Sequence, residues 1–369
     1  MKLNAFLLER YFAKHEFSAP YILCASDCES MALEELLAME AGARDQFYSL
    51  WLGYTESLGH PELRQAVTAL YEKVAAEQVL VHAGAEEAIF NFMNVTLEPG
   101  DHLIVHAPCY QSLGDVARGI GAEVTEWRAN PHNGWQLDLD NLKRSLTDRA
   151  KVVVVNLPHN PTGFLANTDF LQELSELSDR HGFIVFSDEV YRGLELNPAD
   201  RLPAMADVNA RAVSLGVMSK TYGLAGLRVG WIATRNEALF QQMATFKDYT
   251  TICTSAPSEF LATLALRHAD AIAQRNLEII RENLDGLDRF FDAHTDWFEW
   301  QRPKSGSIAF PLLRRGSVDA FCEDLVNKAG VLLLPGSLYG PDYNAFRVGF
   351  GRKNLPEALE KFEDYLKHN

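Results

Sequence analysis

Along the chain, apolar residues fall into short blocks that alternate between two spacings, and the order of those blocks predicts the architecture. Leu63, Ala66, Val67, Leu70, Tyr71 and Val74 recur at helical intervals, which predicts a helix over 61–74 with Pro61 in its first turn. Strand-like runs rich in β-branched and aromatic residues follow at 102–106, 123–127, 151–156, 183–187, 212–217 and 228–233, with helix-like stretches between them. One of these, over 168–181, ends at Gly182, a residue suited to a left-handed cap. Alternation of this kind predicts βαβ units and a mostly parallel, doubly wound α/β sheet. Beyond Pro257 a helical tract runs to about Asp292, and the remainder mixes strands with helices in an α+β manner. Near the amino terminus a helix is expected over 31–41, with Ser30 accepting its free N–H groups and Glu29 favouring its dipole.

Composition narrows the class without naming a function. The chain has 369 residues, 47% hydrophobic and 23% charged, enough for two domains and a large core. A formal net charge of −16 opposes nonspecific binding to nucleic acid or anionic membrane, since a polyanion would meet repulsion, and there is no Lys/Arg run to provide a local exception. Five scattered cysteines suggest free thiols and a reducing compartment. Cys24 and Cys28 are close in sequence but lack a companion pair for a metal site, so no metal is expected. The first ten residues carry too short an apolar run for a signal peptide, and no stretch approaches the roughly 20 apolar residues of a membrane span. A cytoplasmic enzyme is the expectation.

The chemistry centres on Lys220, in the run Ser219-Lys220-Thr221-Tyr222-Gly223 that follows the apolar block ending at Val217. A lysine delivered into a cleft by a buried strand loses solvation, its ammonium pKa falls, and the free amine can form a Schiff base with a carbonyl. Arg228, eight residues on past a glycine-punctuated turn, could hold a phosphate while Lys220 holds an aldehyde. Pyridoxal 5′-phosphate carries both groups. Two further segments, Asn156-Leu157-Pro158-His159-Asn160-Pro161 and Ser187-Asp188-Glu189-Val190-Tyr191, sit at the carboxyl ends of expected parallel strands, where open α/β sheets bind ligands.

With these elements in this order, the sequence resembles the fold type I pyridoxal-phosphate enzymes and, within them, the class I/II aminotransferases, from about Tyr54 to Arg347. The resemblance implies a seven-stranded-type sheet in a large cofactor-binding domain over 45–260, and a smaller α+β domain built from 1–44 together with 261–369. It implies that Asp188 keeps the pyridine nitrogen protonated, so that the ring accepts electrons. Asn160 and Tyr191 would donate to the phenolic oxygen, and Tyr110 would stack on the ring. Gly84, Ala85 and Glu86 would offer backbone N–H groups to the phosphate at a helix start, helped by Arg228 and by Tyr54 of a neighbouring subunit. Arg347 would clamp the substrate carboxylate with its fork, alongside Asn160. A homodimer with shared active sites follows from the part given to Tyr54.

Two departures from the family pattern bear on substrate. Val217 stands where many relatives have a serine, leaving Ser219 as the nearby hydroxyl for the phosphate. The amino-terminal loop, usually a glycine–proline segment lining the pocket, is Cys24-Ala25-Ser26-Asp27-Cys28-Glu29-Ser30. Ser26 and Asp27 thereby become candidate substrate contacts, and Asp27 or Glu29 could recognise a cationic side chain. The expected reaction moves an amino group between an L-amino acid and a 2-oxo acid through a Lys220 Schiff base, with Lys220 carrying the Cα proton. The competing expectation is a lyase or cyclase on the same scaffold, similar to the capreomycidine-synthase type that takes an arginine-derived amino acid. A cofactor-binding regulator without turnover is disfavoured because the catalytic positions are filled.

Overall fold

In the computed structural model, which describes residues 1–368, seven strands form one central sheet. They are β1 (Val79–His82), β2 (His102–Ala107), β3 (Glu123–Arg128), β4 (Ala150–Asn156), β5 (Ile184–Asp188), β6 (Val213–Val217) and β7 (Gly230–Thr234), in the spatial order β1-β7-β6-β5-β4-β2-β3. Only β7 runs antiparallel to its neighbours. Residues Val152 to Val155 of β4 are buried on both faces, the pattern expected where helices cover a parallel sheet on each side. Strand β1 was not legible as a strand, because four residues of Val-Leu-Val-His between polar flanks carry no period of their own.

Register decides what the strand ends present. Asn156 pairs with Asp188, Asp188 with Leu215, and Val217 with Gly230, so the carboxyl ends of β4, β5 and β6 bring an amide, a carboxylate and the approach to Lys220 side by side. The small elements near the two chain ends meet one another. Tyr21 and Ile22 pair with Val331 and Leu332, while Ile308–Ala309, Phe346–Gly349 and Leu334–Pro335 form a three-stranded sheet.

Several helices differ in extent from the expectation, each for a tertiary reason. The helix from Pro61 ends at Thr68, because the Asp207 carboxylate takes the Glu72 and Lys73 N–H groups at 3.0 and 2.7 Å. The helix expected over 31–41 shrinks to Leu33–Leu37, and Glu35 rather than Ser30 meets its leading N–H, that of Ala32, at 2.8 Å. The preceding loop is drawn away by Gly351, whose carbonyl accepts the Glu29 N–H at 2.8 Å. The tract after Pro257 is two helices, Ala256–Arg267 and Ala269–Ala293, broken at His268. The helix Thr168–His181 closes at Gly182 with φ 82°, as its sequence predicts.

The long helix Ala269–Ala293 ties the sheet to the carboxyl-terminal lobe. Two buried asparagines seven residues apart lie on its inner face. Asn276 donates to the Thr221 carbonyl at 2.9 Å, and Asn283 donates to those of Phe350 and Arg352 at 2.9 and 2.8 Å. Buried amides of this kind are retained when every carbonyl they serve would otherwise lose its partner.

Candidate active site

Lys220 lies three residues past β6, in a turn fixed from both sides. Met218 N–H bonds to the Val229 carbonyl at 3.0 Å, Thr221 Oγ1 donates to the Arg192 carbonyl at 3.0 Å, and Gly223 takes φ 65° to bring its N–H to the Lys220 carbonyl. A Cβ at Gly223 would press on the Glu29 carbonyl at 2.7 Å, so glycine meets both needs there. The Lys220 side chain is thereby aimed into a cavity of about 270 Å³ at the carboxyl end of the sheet, where its Nζ donates to Ser26 Oγ at 2.8 Å. Removal from bulk water lowers the ammonium pKa, against the opposing pull of Asp27, and Arg347 lowers it further.

Facing it, the ends of β4 and β5 are bound into one unit. Asn156 Nδ2 donates to the Asp188 carbonyl at 2.9 Å, and Asn156 Oδ1 accepts the Asn160 N–H at 2.6 Å. The Asp188 carboxylate takes the Val190 N–H at 3.2 Å, yet burial pushes its pKa up to about 7. Asn160 Oδ1 accepts from Tyr339 Oη at 3.2 Å and Arg347 Nη1 at 3.4 Å, leaving the amide NH₂ to the cavity. Arg347 is buried. Its Nε donates to the Cys24 carbonyl at 3.1 Å, its Nη1 to Tyr339 Oη at 2.9 Å, and among the described residues its Nη2 meets no protein acceptor. Tyr191 is 1% exposed, and its hydroxyl lies beside Ser26 without a hydrogen bond of normal geometry.

The third wall is a helix start. Ala85–Thr96 begins after Gly84, whose φ of 94° turns the chain, and the Ala85 and Glu86 N–H groups open the helix toward the cavity. The Arg228 guanidinium lies over Gly84 so closely that a Cβ there would stand 2.7 Å from Nη2. Gly230 does the same for backbone packing, since a Cβ would meet Ala85 N at 2.9 Å. Ser219 and Val217 line the cavity beside this cup. Glu86 is exposed at the cavity's edge; the protein packed around it raises its carboxyl pKa, and its contact to Ser112 Oγ at 3.1 Å pulls the other way.

Thus Ser26, Ala85, Glu86, Tyr110, Asn160, Asp188, Tyr191, Ser219, Lys220, Arg228 and Arg347 come together around one cavity, with Gly84 beneath Arg228. Three expected residues, Asp27, Glu29 and Tyr54, do not join them. Asp27 is held at 3.0 Å by both Nε and Nη2 of Arg352, and Glu29 accepts the Lys353 N–H at 3.0 Å, so tertiary partners have taken both carboxylates. Tyr54 is 86% exposed and borders a separate hollow with Trp51 and Phe260. Conversely, Leu8, Glu9 and Phe12 of the helix Leu7–His15 close the cavity, and Tyr339 braces both Arg347 and Asn160. Leu8 and Phe12 stand at i, i+4, a pattern that announces a buried helix face but not what the face covers.

This donor set fits pyridoxal 5′-phosphate. A buried phenol without a hydrogen-bond partner among the described residues, a buried carboxyl, an amine with lowered pKa, and a helix start under a guanidinium match its phenolic oxygen, ring nitrogen, aldehyde and phosphate. The model of the aminotransferase class I and II family matches residues 23–362. Capreomycidine synthase from Streptomyces vinaceus is 32% identical over 368 residues, covering 99% of this chain and 93% of its own length. Among solved structures, a PLP-dependent aminotransferase from Streptococcus suis superposes with a TM-score of 0.94 at 33% identity, covering 100% of this chain and 99% of the other. The PLP-dependent cyclase OrfR gives 0.90 at 28% identity, covering 100% and 98%. With a family match over nearly its whole length and a cavity suited to that cofactor, the chain belongs to the class I and II aminotransferases, whose cofactor is pyridoxal 5′-phosphate.

Proposed function

We propose that the protein is an aminotransferase that moves an amino group between an L-amino acid and a 2-oxo acid. The observation that carries this reading is the Lys220 amine, with depressed pKa, in one cavity with the Asp188 carboxyl and a buried Arg347 whose Nη2 meets no protein acceptor among the described residues. When bound, pyridoxal phosphate supplies the aldehyde that takes the amino group and the ring that accepts electrons from Cα. Lys220 would hold that aldehyde through its amine; once displaced by the substrate amino group, the same amine would take the proton from Cα and return it to the cofactor's aldehyde carbon. Ser26 Oγ, already bonded to Lys220 Nζ, steadies the amine when it is free. Asp188 would hold the ring nitrogen, whose cation would draw its carboxyl back to the ionised form. Asn160 NH₂ and the Tyr191 hydroxyl would donate to the phenolic oxygen, while Tyr110 would supply a ring face. Ala85 and Glu86 N–H, Ser219 and Arg228 would receive the phosphate, with Gly84 admitting the guanidinium. Arg347 and Asn160 orient the substrate carboxylate.

The reading includes a cytoplasmic homodimer with a large domain over 45–260 and a small one from 1–44 and 261–369. Tyr48, Trp51, Leu52, Tyr54 and Tyr249 are each more than three-quarters exposed, an apolar surface suited to a second copy, through which Tyr54 would reach the partner's phosphate.

A second reading, cyclisation or elimination, is favoured by the similarity to capreomycidine synthase and to the cyclase OrfR. Single-turnover absorbance of the cofactor-loaded protein with a panel of amino acids, combined with mass analysis, separates the two. Formation of pyridoxamine phosphate and a 2-oxo acid supports transamination; a new amino-acid product with the cofactor unchanged supports the second reading.

A further inference from the structure

The cavity holds more negative charge than the cofactor and an ordinary amino acid would use. Its cations are Lys220, Arg228 and Arg347; its anions are Asp188, Glu86 and Glu9. If the proposed function holds, Lys220 is consumed by the aldehyde, Arg228 by the phosphate, Arg347 by the α-carboxylate and Asp188 by the ring nitrogen. Glu86 already has a partner in Ser112 Oγ at 3.1 Å. Glu9 is then a carboxylate in the wall without an assignment. It makes no hydrogen bond or ion pair with any described residue, and it is exposed at the cavity's edge, beside Leu8 and Phe12 of the same helix, which also border the cavity.

Its carrier is anchored. In the helix Leu7–His15, Tyr11 Oη donates to the Leu333 carbonyl at 2.9 Å. Gln111 clasps the preceding segment, its Oε1 accepting the Leu7 N–H at 2.7 Å and its Nε2 donating to the Ala5 carbonyl at 2.9 Å. The Phe12 ring lies 5.8 Å from the Arg347 guanidinium, so the face that carries Glu9 also borders the seat for the α-carboxylate. Phe12, Leu8 and Ile89 line the same cavity with apolar surface that can take the methylenes of a long side chain.

We propose that Glu9 is a specificity-determining residue: its carboxylate receives the positively charged end of an amino-acid side chain, ammonium or guanidinium, while Arg347 holds the α-carboxylate. The inference rests on the proposed reading of the site and moves cation recognition from Asp27 and Glu29, which are already paired, to a residue that is free.

The test uses the full cofactor-loaded chain with arginine and with citrulline, which has the same length but no charge. Both the absorbance-detected dissociation constant and kcat/KM are measured. Wild type is expected to prefer arginine by at least about tenfold, and Glu9→Gln to lose roughly ten- to a hundredfold for arginine while citrulline changes less than about twofold. Glu9→Asp, which keeps the charge, is expected to retain part of the preference. A role confined to the helix dipole would move both substrates equally, and that result would overturn the proposal. So would a wild type that processes amino acids but treats arginine and citrulline alike, in which case the proposed function stands. A wild type that responds to no amino acid at all would remove the proposed function and Glu9's part with it.

Discussion

Replacing Asp188 by asparagine separates the cost of a buried carboxylate from its use. Burial raises the Asp188 pKa from an ordinary 3.8 to about 7 in the protein without cofactor. A folded-state pKa above the unfolded value means that the native state binds the extra proton, so stability falls as pH rises from about 4 to about 7. Each pKa unit is worth about 1.4 kcal/mol, which sets an upper figure of about 4 kcal/mol at pH 8. Because the side chain opens on a solvent-accessible cavity, about half of that is expected to survive. Asparagine is nearly isosteric, and its Oδ1 can still accept the Val190 N–H that Asp188 accepts at 3.2 Å. Cofactor-free Asp188→Asn should therefore match wild type near pH 4 and exceed it by about 2 kcal/mol near pH 8, as measured by urea unfolding across that range. Glu86 and Glu189 also have raised pKa values, so the quantity to read is the difference between the two proteins. Cofactor affinity should move the opposite way, because the variant has no carboxylate to pair with a protonated ring nitrogen. Stability curves that stay parallel from pH 4 to pH 8 would refute the reasoning.

Three other perturbations probe the scaffold of the site. Arg347→Lys loses the planar fork, and kcat/KM for α-amino acids should fall by roughly a hundredfold, whereas an amine lacking the carboxylate should be affected little; steady-state kinetics with both decides it. Gly349→Ala would drive a Cβ into the Ala25 carbonyl oxygen, beside the Cys24 carbonyl that holds Arg347 and the Ser26 hydroxyl that meets Lys220. Overpacking against backbone predicts a loss of about 1–3 kcal/mol, visible as a lowered Tm, and an unchanged Tm would mean the loop gives way freely. Asn276→Ala strips the Thr221 carbonyl of its side-chain donor next to Lys220. Denaturant unfolding should register a loss of about 1–3 kcal/mol.

What the sequence determined by itself was the order of elements and the chemistry at their ends. Parallel strands buried on both faces read as uninterrupted apolar runs, and the residues just past them, Asn156, Asp188 and Lys220, fall by register into one cavity. Local rules also sufficed at Gly182, where a left-handed cap depends only on the residue that adopts it. Tertiary structure decided whatever depends on a partner distant in the chain. Asp27 and Glu29 looked available, but Arg352 and the Lys353 N–H, more than 320 residues away, occupy them. The expected helix past Thr68 yields to Asp207 for the same reason, since a carboxylate from elsewhere can outbid the helix for its N–H groups. Glu9, Phe12 and Tyr339 reach the site only because both chain ends fold back over the sheet, pairing Tyr21 and Ile22 with Val331 and Leu332. Spacing along a chain records which face a residue occupies; which carboxylate stays free inside a cavity depends on the cations that folding has brought beside it.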